Sequence, residues 1–394
     1  MAHVNPVAHL PAADEAMRHG EYVRPAGVLR LGSQSLPIVS PARVYVCGIT
    51  PYDVTHVGHA ATFVWADVAI KVMRGNGTSV ISCRNVTDVD DVLTSAAAQK
   101  GRYYDEHAAT QEFLFDRTMR ELRVASPTHA PRAGTFIDQV IQLAIALVEV
   151  GSAYERQGRV YLRGSRVPET AGIAKGDALA QLLEYGDHPD DPLRDDPFDV
   201  PVWLPSGPGD PAWSSPWGPG RPGWHAECAA MAMSVLGPSI DLLVGGADLH
   251  FPHHAYQSTM VEAVTGQGRF ARAELAVGTV QLNGAKMAKS TGNLVLVDDV
   301  LEQVSAQALR LYLLDRPWSG VWDYDETELR RAADRLERLR SAAGRRASET
   351  AAEPVLRVLL DELDVPSALD LAEDSGGQVA DAVLRLLSLD VPSS

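Results

Sequence analysis

The sequence predicts an α/β fold: a doubly wound parallel sheet with an inserted segment and a C-terminal helical bundle. Three observations carry the prediction. From Ala42 a short apolar run, a stretch with helical periodicity and a second apolar run read as strand, crossover helix and strand. The same alternation resumes near Trp224, after a segment dense in Pro, Gly, Asp and Trp. The last ninety or so residues then carry helical patterns alone. In such a sheet the ligand site lies beyond the carboxyl ends of the strands.

In chain order, residues 1–40 are rich in Pro, Ala and Gly with little periodicity and read as an arm. ARVYVC (Ala42–Cys47) is a β-branched strand, followed by the turn-prone GITPYD. His59–Met73 repeats its apolar residues at helical spacing until Gly75 and Gly77 stop it, and TSVISC (Thr78–Cys83) is a second buried strand. Helices at Tyr104–Arg123 and Thr135–Val150 and a hairpin around Ser152–Arg163 fit an insertion between the halves of the sheet. His188–Gly223 reads as a long loop from composition. A helix near Trp224–Leu236, a strand SIDLLVG, a helix from about His254 to Val264 and a strand AELAVGTVQL follow. Helices Ala306–Leu314, Glu326–Ala343, Glu353–Leu363 and Gly377–Leu387 close the chain. The expected division is an arm at 1–40, two catalytic halves at 41–125 and 201–300, an insertion at 126–200 and the bundle at 301–394.

Composition narrows the function. With 45% hydrophobic and 22% charged residues the chain can bury a full core in two or three domains. It has no apolar run of about eighteen residues, and its first twenty residues lack a signal peptide's basic and apolar regions, so a cytoplasmic location is expected. Three widely spaced cysteines cannot make a disulfide framework and read as thiols in a reducing compartment. A net charge of −16, with no Lys/Arg cluster and an acidic stretch from Asp361 to Asp381, disfavours tRNA or other nucleic acid as a partner. The oligomeric state is not legible.

Two motifs carry chemistry. Thr55-His56-Val57-Gly58-His59 follows a strand and opens a helix, with two histidines at i and i+3 on one face and a glycine that lets a base or ribose approach. Alone, it also fits two capping histidines. Lys286-Met287-Ala288-Lys289-Ser290 sits on a glycine-flanked loop from which two lysines can swing onto a polyphosphate, although lysines on loops are more often simply solvated. In this order, more than two hundred residues apart, the pair resembles the two signatures of class I aminoacyl-tRNA synthetases.

Within that class, four strings resemble the cysteinyl-tRNA synthetases: Tyr45-Val46-Cys47-Gly48-Ile49-Thr50-Pro51-Tyr52-Asp53, Asn85–Asp91, Gly220–Cys228 and Asp248–His254. The similarity runs from about Arg43 to Leu314. It implies one Zn²⁺ per chain on Cys47, Cys228 and His253, with a fourth position open for the substrate thiolate. The family's usual fourth ligand, a Glu four residues after the histidine, is Gln257 here. Cys83 reads as a buried hydrophobe. The resemblance further implies that His56, His59, Lys286 and Lys289 stabilise attack of the cysteine carboxylate on Mg²⁺-ATP. It places cysteinyl-adenylate against Cys47, Gly48, Ile49, Thr50, Thr62, Asn85, Val86, Thr87, Trp224, Gly246, Ala247, Asp248 and Val280.

The missing carboxylate and the short C-terminal region are similar to the cysteine ligases of mycothiol biosynthesis, a shortened branch that joins L-cysteine to the amino group of glucosaminyl-inositol. ATP, L-cysteine and a small amine are therefore the expected substrates. Ala288, Thr291 and a loosely matching Glu184–Pro189 stretch depart from those ligases and leave open another amine, or tRNA, as the acceptor.

Overall fold

The computed structural model describes residues 27–32, 34–52, 54–287, 292–345 and 353–390. Its centre is a four-stranded, fully parallel sheet in the spatial order Ala271–Val277, Ile240–Gly246, Ala42–Ile49, Val80–Val86. Tyr45 pairs with Cys83 on one side and Leu243 on the other. Val44, Tyr45, Leu242, Leu243 and Val244 are all buried, as continuous apolar runs are when helices cover both faces of a sheet.

The helix Val57–Gly75 buries Val64, Trp65 and Val68 on one face, in the same core as the C-terminal helices. The helices Trp224–Leu236 and Ile137–Glu149 share the other core with Trp203, Phe251 and Tyr256. The sheet is thus wound on both faces, as expected. The central strand has an irregular register between Val46 and Ile49. There Gly48 is pressed against its neighbour, since a Cβ on it would lie 1.7 Å from the carbonyl oxygen of Asn85.

Several local expectations need correction. Of the expected arm, residues 1–26 lie outside the described residues, while Leu29–Leu31 and Gln34–Leu36 pair antiparallel and bury Leu29, Leu31 and Leu36. His188–Gly223 is not simply a loop. Its strands Val200–Pro205 and Gly220–Pro222 extend the hairpin Ala153–Arg156/Arg159–Leu162 into a four-stranded antiparallel sheet. Pro201 hid this strand, and the sheet admits it at a register shift opposite Val160–Tyr161.

The expected single strand AELAVGTVQL divides at Gly278, whose Cβ would lie 1.9 Å from the Gly320 carbonyl oxygen. Val280–Leu282 beyond it joins a small sheet with Ala285–Lys286 and Trp322–Asp323. Helices at Asp91–Gln99, Lys175–Glu184 and Val365–Ser375 were not foreseen, and the helix expected to Leu363 ends at Leu360.

Candidate functional site

The carboxyl ends of the central strands bring the predicted metal ligands together from three separated segments. Cys47 stands near the end of the central strand, Cys228 on the first turns of Trp224–Leu236, and His253 in the turn His250–His254 beyond Ile240–Gly246. All three are buried, and their ligand atoms lie within 4.8 Å of one another. Two sulfurs and an imidazole are a donor set that suits zinc, and one ion can span them.

The surroundings hold these groups in place. The Asn85 side chain accepts from the Gly48 backbone N–H at 2.9 Å and donates to Cys228 Sγ at 3.2 Å, tying two strands to one thiol. Cys47 Sγ donates to the Gln257 amide oxygen at 3.8 Å. The Nδ1 atoms of His225 and His253 are 2.9 Å apart, so one donates to the other, and the indole of Trp224 stacks on His253 at 4.1 Å. Burial pushes the Cys47 thiol up, with Cys228 adding to it. Burial pulls His253 well down, which keeps its imidazole neutral. A cation among these groups would favour the thiolates that burial alone resists.

His254, by contrast, lies outside the cluster: its Nδ1 is 2.5 Å from Glu274, which also reaches His250 at 2.7 Å. Together these contacts brace the turn that carries His253. Cys83 is fully buried outside the cluster, and burial pushes it up to about 12, as the reading of a buried hydrophobe expects.

Beside the cluster lies the remainder of the predicted pocket. Ile49 pairs with Val86 and accepts from the Thr87 N–H at 3.0 Å, while the Thr50 and Thr87 hydroxyls are 2.7 Å apart. A Cβ on Gly246 would lie 2.5 Å from the Asp248 carboxylate and 3.9 Å from the Thr62 hydroxyl, so these residues converge around a backbone that must stay bare. Ala247 and Asp248 form the short turn beyond this strand. Gly58 faces Val280, whose Cβ would be 3.8 Å from one placed on the glycine.

His56 accepts from the Gly58 N–H at 3.1 Å and its ring lies 3.9 Å from that of His59. It therefore caps the helix Val57–Gly75 as well as facing its first turn. Backbone bonds from Val57 to Val295 and from Val297 to Thr55 bring the chain beyond the lysine loop back onto this motif.

Lys286 reaches the same pocket. Its ammonium is 2.9 Å from Asp248, 3.2 Å from Glu184 and 5.5 Å from the centre of the Tyr185 ring. Burial pulls Lys286 down, but the two carboxylates outweigh it and hold it above its ordinary value. Burial likewise raises Asp248, and Lys286 reverses the shift, holding it below the usual range. Lys289 lies outside the described residues, with 288–291.

Two neighbourhoods had no role assigned at their place in the site. His225 stood inside a quoted string. Glu184 and Tyr185 stood in a stretch noted only as a loose match, and they come from the unforeseen helix Lys175–Glu184 and its cap, more than sixty residues from Asp248, so no local spacing could announce that contact.

The family described as "tRNA synthetases class I (C) catalytic domain" matches residues 38–334. A protein from Tsukamurella paurometabola named "L-cysteine:1D-myo-inositol 2-amino-2-deoxy-alpha-D-glucopyranoside ligase" is 42% identical over 369 residues, 88% of this chain and 87% of that protein. Proteins of the same name from Thermomonospora curvata and Streptomyces griseus are 39% and 40% identical, over 92% and 83% of this chain and 90% and 82% of theirs. Among solved structures, Mycobacterium tuberculosis methionyl-tRNA synthetase with methionyl-adenylate superposes with a TM-score of 0.62 at 17% identity, covering 89% of this chain and 82% of that one. A LeuRS from Agrobacterium radiobacter K84, in a ternary complex with tRNA and LeuAMS, gives 0.60 at 11% identity, over 97% and 86%. At such identities the two structures speak for the fold alone.

Proposed function

The chain belongs to the class I tRNA synthetase (C) catalytic domain family, and from that premise we propose that it activates L-cysteine with ATP as cysteinyl-AMP and transfers it to the amine of glucosaminyl-inositol. The observation that carries the reading is the buried Cys47, Cys228 and His253 cluster with an amide, Gln257, beside it where a carboxylate would close the set. These three residues would hold one zinc ion, which supplies an open coordination position that favours a thiolate over a hydroxyl.

Every other role falls to the chain itself. Trp224, stacked on His253, walls the small side-chain pocket. Thr50, Thr62, Asn85, Thr87 and the bare backbone at Gly246 and Ala247 shape the adenylate site, and Asp248 is suited to ribose hydroxyls. His56, His59, Lys286 and Lys289 offer positive charge and N–H donors where charge grows on the α-phosphoryl group and the leaving pyrophosphate. The carboxylate oxygen of cysteine attacks the α-phosphorus and pyrophosphate departs. The amine then attacks the acyl carbon, and AMP leaves.

Incubation with ATP, L-cysteine and either glucosaminyl-inositol or total tRNA, read by mass spectrometry, tests the proposal. The expected product is the cysteinyl amide of the aminosugar, with AMP and pyrophosphate. Cysteinyl-tRNA without sugar amide would overturn it in favour of tRNA charging.

A further inference from the structure

The helix Tyr104–Glu121 carries none of the motif residues, and its buried face includes His107, Phe115 and Met119. Two ion pairs brace it: Asp116 with Arg84 of the strand Val80–Val86 at 2.6 Å, and Glu112 with Arg132 at 3.1 Å. Arg84 also lies over the Phe115 ring, 4.8 Å from its centre. In the first turn His107 is fully buried, with its Nε2 3.0 Å from the Tyr52 carbonyl oxygen. A carbonyl only accepts, so Nε2 carries a proton and donates. The other ring nitrogen, Nδ1, is buried with no partner among the described residues. Burying such a group costs stability, and an apolar side chain like those of Phe115 and Met119 would pack there without that cost. What the imidazole adds at this place is its Nε2–H.

The Tyr52 carbonyl belongs to the turn that leaves the central strand. At the start of this turn the Thr87 N–H donates to the Ile49 carbonyl at 3.0 Å, and the Thr50 and Thr87 hydroxyls are 2.7 Å apart. At its end the Tyr52 N–H donates back to the Thr50 carbonyl at 2.9 Å, while Pro51 between them has no N–H to contribute. Thr50 is thus held between Thr87 on one side and the peptide that His107 grips on the other. Resting on the cysteine-activating reading above, we infer that His107 is a positioning residue for adenylate formation: its Nε2–H, delivered from a braced helix, fixes the Tyr52 carbonyl and through it the Thr50 side chain in the pocket. Being fully buried, it acts through the backbone rather than by contact with substrate. Such a bond matters for rate, because a displacement of about 1 Å in a group that faces the reacting atoms costs up to about a hundredfold.

Cysteine-dependent pyrophosphate exchange tests this, expressed per active site as counted by the pyrophosphate released in one turnover without acceptor. His107→Asn, whose shorter amide cannot reach Tyr52, should lower the rate per site by about tenfold or more, and His107→Leu should do the same. His107→Gln, whose longer side chain carries N–H to the place of Nε2, should stay within about threefold of the unaltered protein. A merely structural role would change the number of active sites and the melting temperature and leave the rate per site alone. Should the leucine variant fail to fold, the asparagine and glutamine variants carry the comparison. A rate per site in His107→Asn no lower than in His107→Gln would overturn the positioning role while leaving the ligase reading intact. No exchange from the unaltered protein would overturn the cysteine-activating reading, and this inference with it.

Discussion

The side-chain amide of Gln257 lies across the two cysteines of the cluster, its oxygen 3.8 Å from Cys47 Sγ and its nitrogen 3.5 Å from the Cys228 carbonyl oxygen. It is fully buried, one helical turn beyond His253. A carboxylate at that position would be a fourth protein ligand, as in the cysteinyl-tRNA synthetases that the sequence resembles, whereas an amide is a poor one.

Gln257→Glu should therefore bind zinc more tightly. Competition with a chelator should show at least about tenfold higher affinity. Cys228→Ala should lose the metal, as elemental analysis would record. Full zinc occupancy in Cys228→Ala would remove the ligand assignment, and an unchanged affinity in Gln257→Glu would contradict a position at Gln257 within reach of the metal.

Lys286, held by Asp248 and Glu184, makes a separate test. Lys286→Ala should lower the rate of adenylate formation by on the order of a hundredfold while changing the KM for cysteine by less than about threefold, because its charge matters most as the phosphoryl group transfers. An effect confined to the cysteine KM would show that the lysine shapes the pocket instead.

The local cost of bringing the strands together falls on Gly48. A side chain there meets the Asn85 carbonyl oxygen at 1.7 Å, and backbone in the middle of a sheet cannot retreat. Gly48→Ala should destabilise the protein by about 3 kcal/mol and, because Cys47 and Asn85 flank the clash, loosen metal binding as well. Calorimetry and metal analysis would check both, and an unshifted melting temperature would refute the packing argument.

The parts of this molecule legible in sequence are those whose signal is local. Continuous apolar runs announced the parallel strands, and the ordered strings around Cys47, Asn85, Trp224 and Asp248 announced residues that the fold does bring together. What stayed hidden depends on partners distant in the chain. The strand Val200–Pro205 exists because the hairpin at Ala153–Leu162 and the strand Gly220–Pro222 supply its hydrogen bonds, whatever its two prolines suggest. Gly278 ends one strand because the Gly320 backbone crosses it. Glu184 and Tyr185 stood in a stretch that matches the ligases only loosely, and the docking of an inserted helix against the Asp248 turn brings them to Lys286 and Asp248.

A last relationship links the catalytic half to the helical bundle and makes a prediction about acid. Asp67, on the helix Val57–Gly75, is buried and ion-paired to the fully buried Arg310 of the helix Ala306–Leu314. It also accepts from Lys71 at 2.8 Å and from the Ala125 N–H at 3.0 Å, while Arg310 donates to the Leu122 carbonyl at 2.8 Å and to that of Leu387 at 2.5 Å. Burial raises Asp67, but Arg310 and Lys71 outweigh it, and the carboxyl ends below its ordinary value. With the folded value below the unfolded one, near 3.9, the ionised form stabilises the fold fully above that pH and loses its effect as pH falls through the folded value. Asp67→Asn removes the charge and strands the buried Arg310 beside the partly buried Lys71, so at pH 7 it should cost about 3–5 kcal/mol. Below about pH 4 the difference from the unaltered protein should begin to shrink, since the unfolded chain there takes up a proton that the folded carboxylate still resists. Replacing both partners with apolar residues, Asp67→Leu with Arg310→Met, should cost less than Asp67→Asn alone. Urea unfolding at pH 7 and at pH 3.5 reads all three. A gap between Asp67→Asn and the unaltered protein that stayed constant across that range would show that this carboxylate is not the acid-sensitive element.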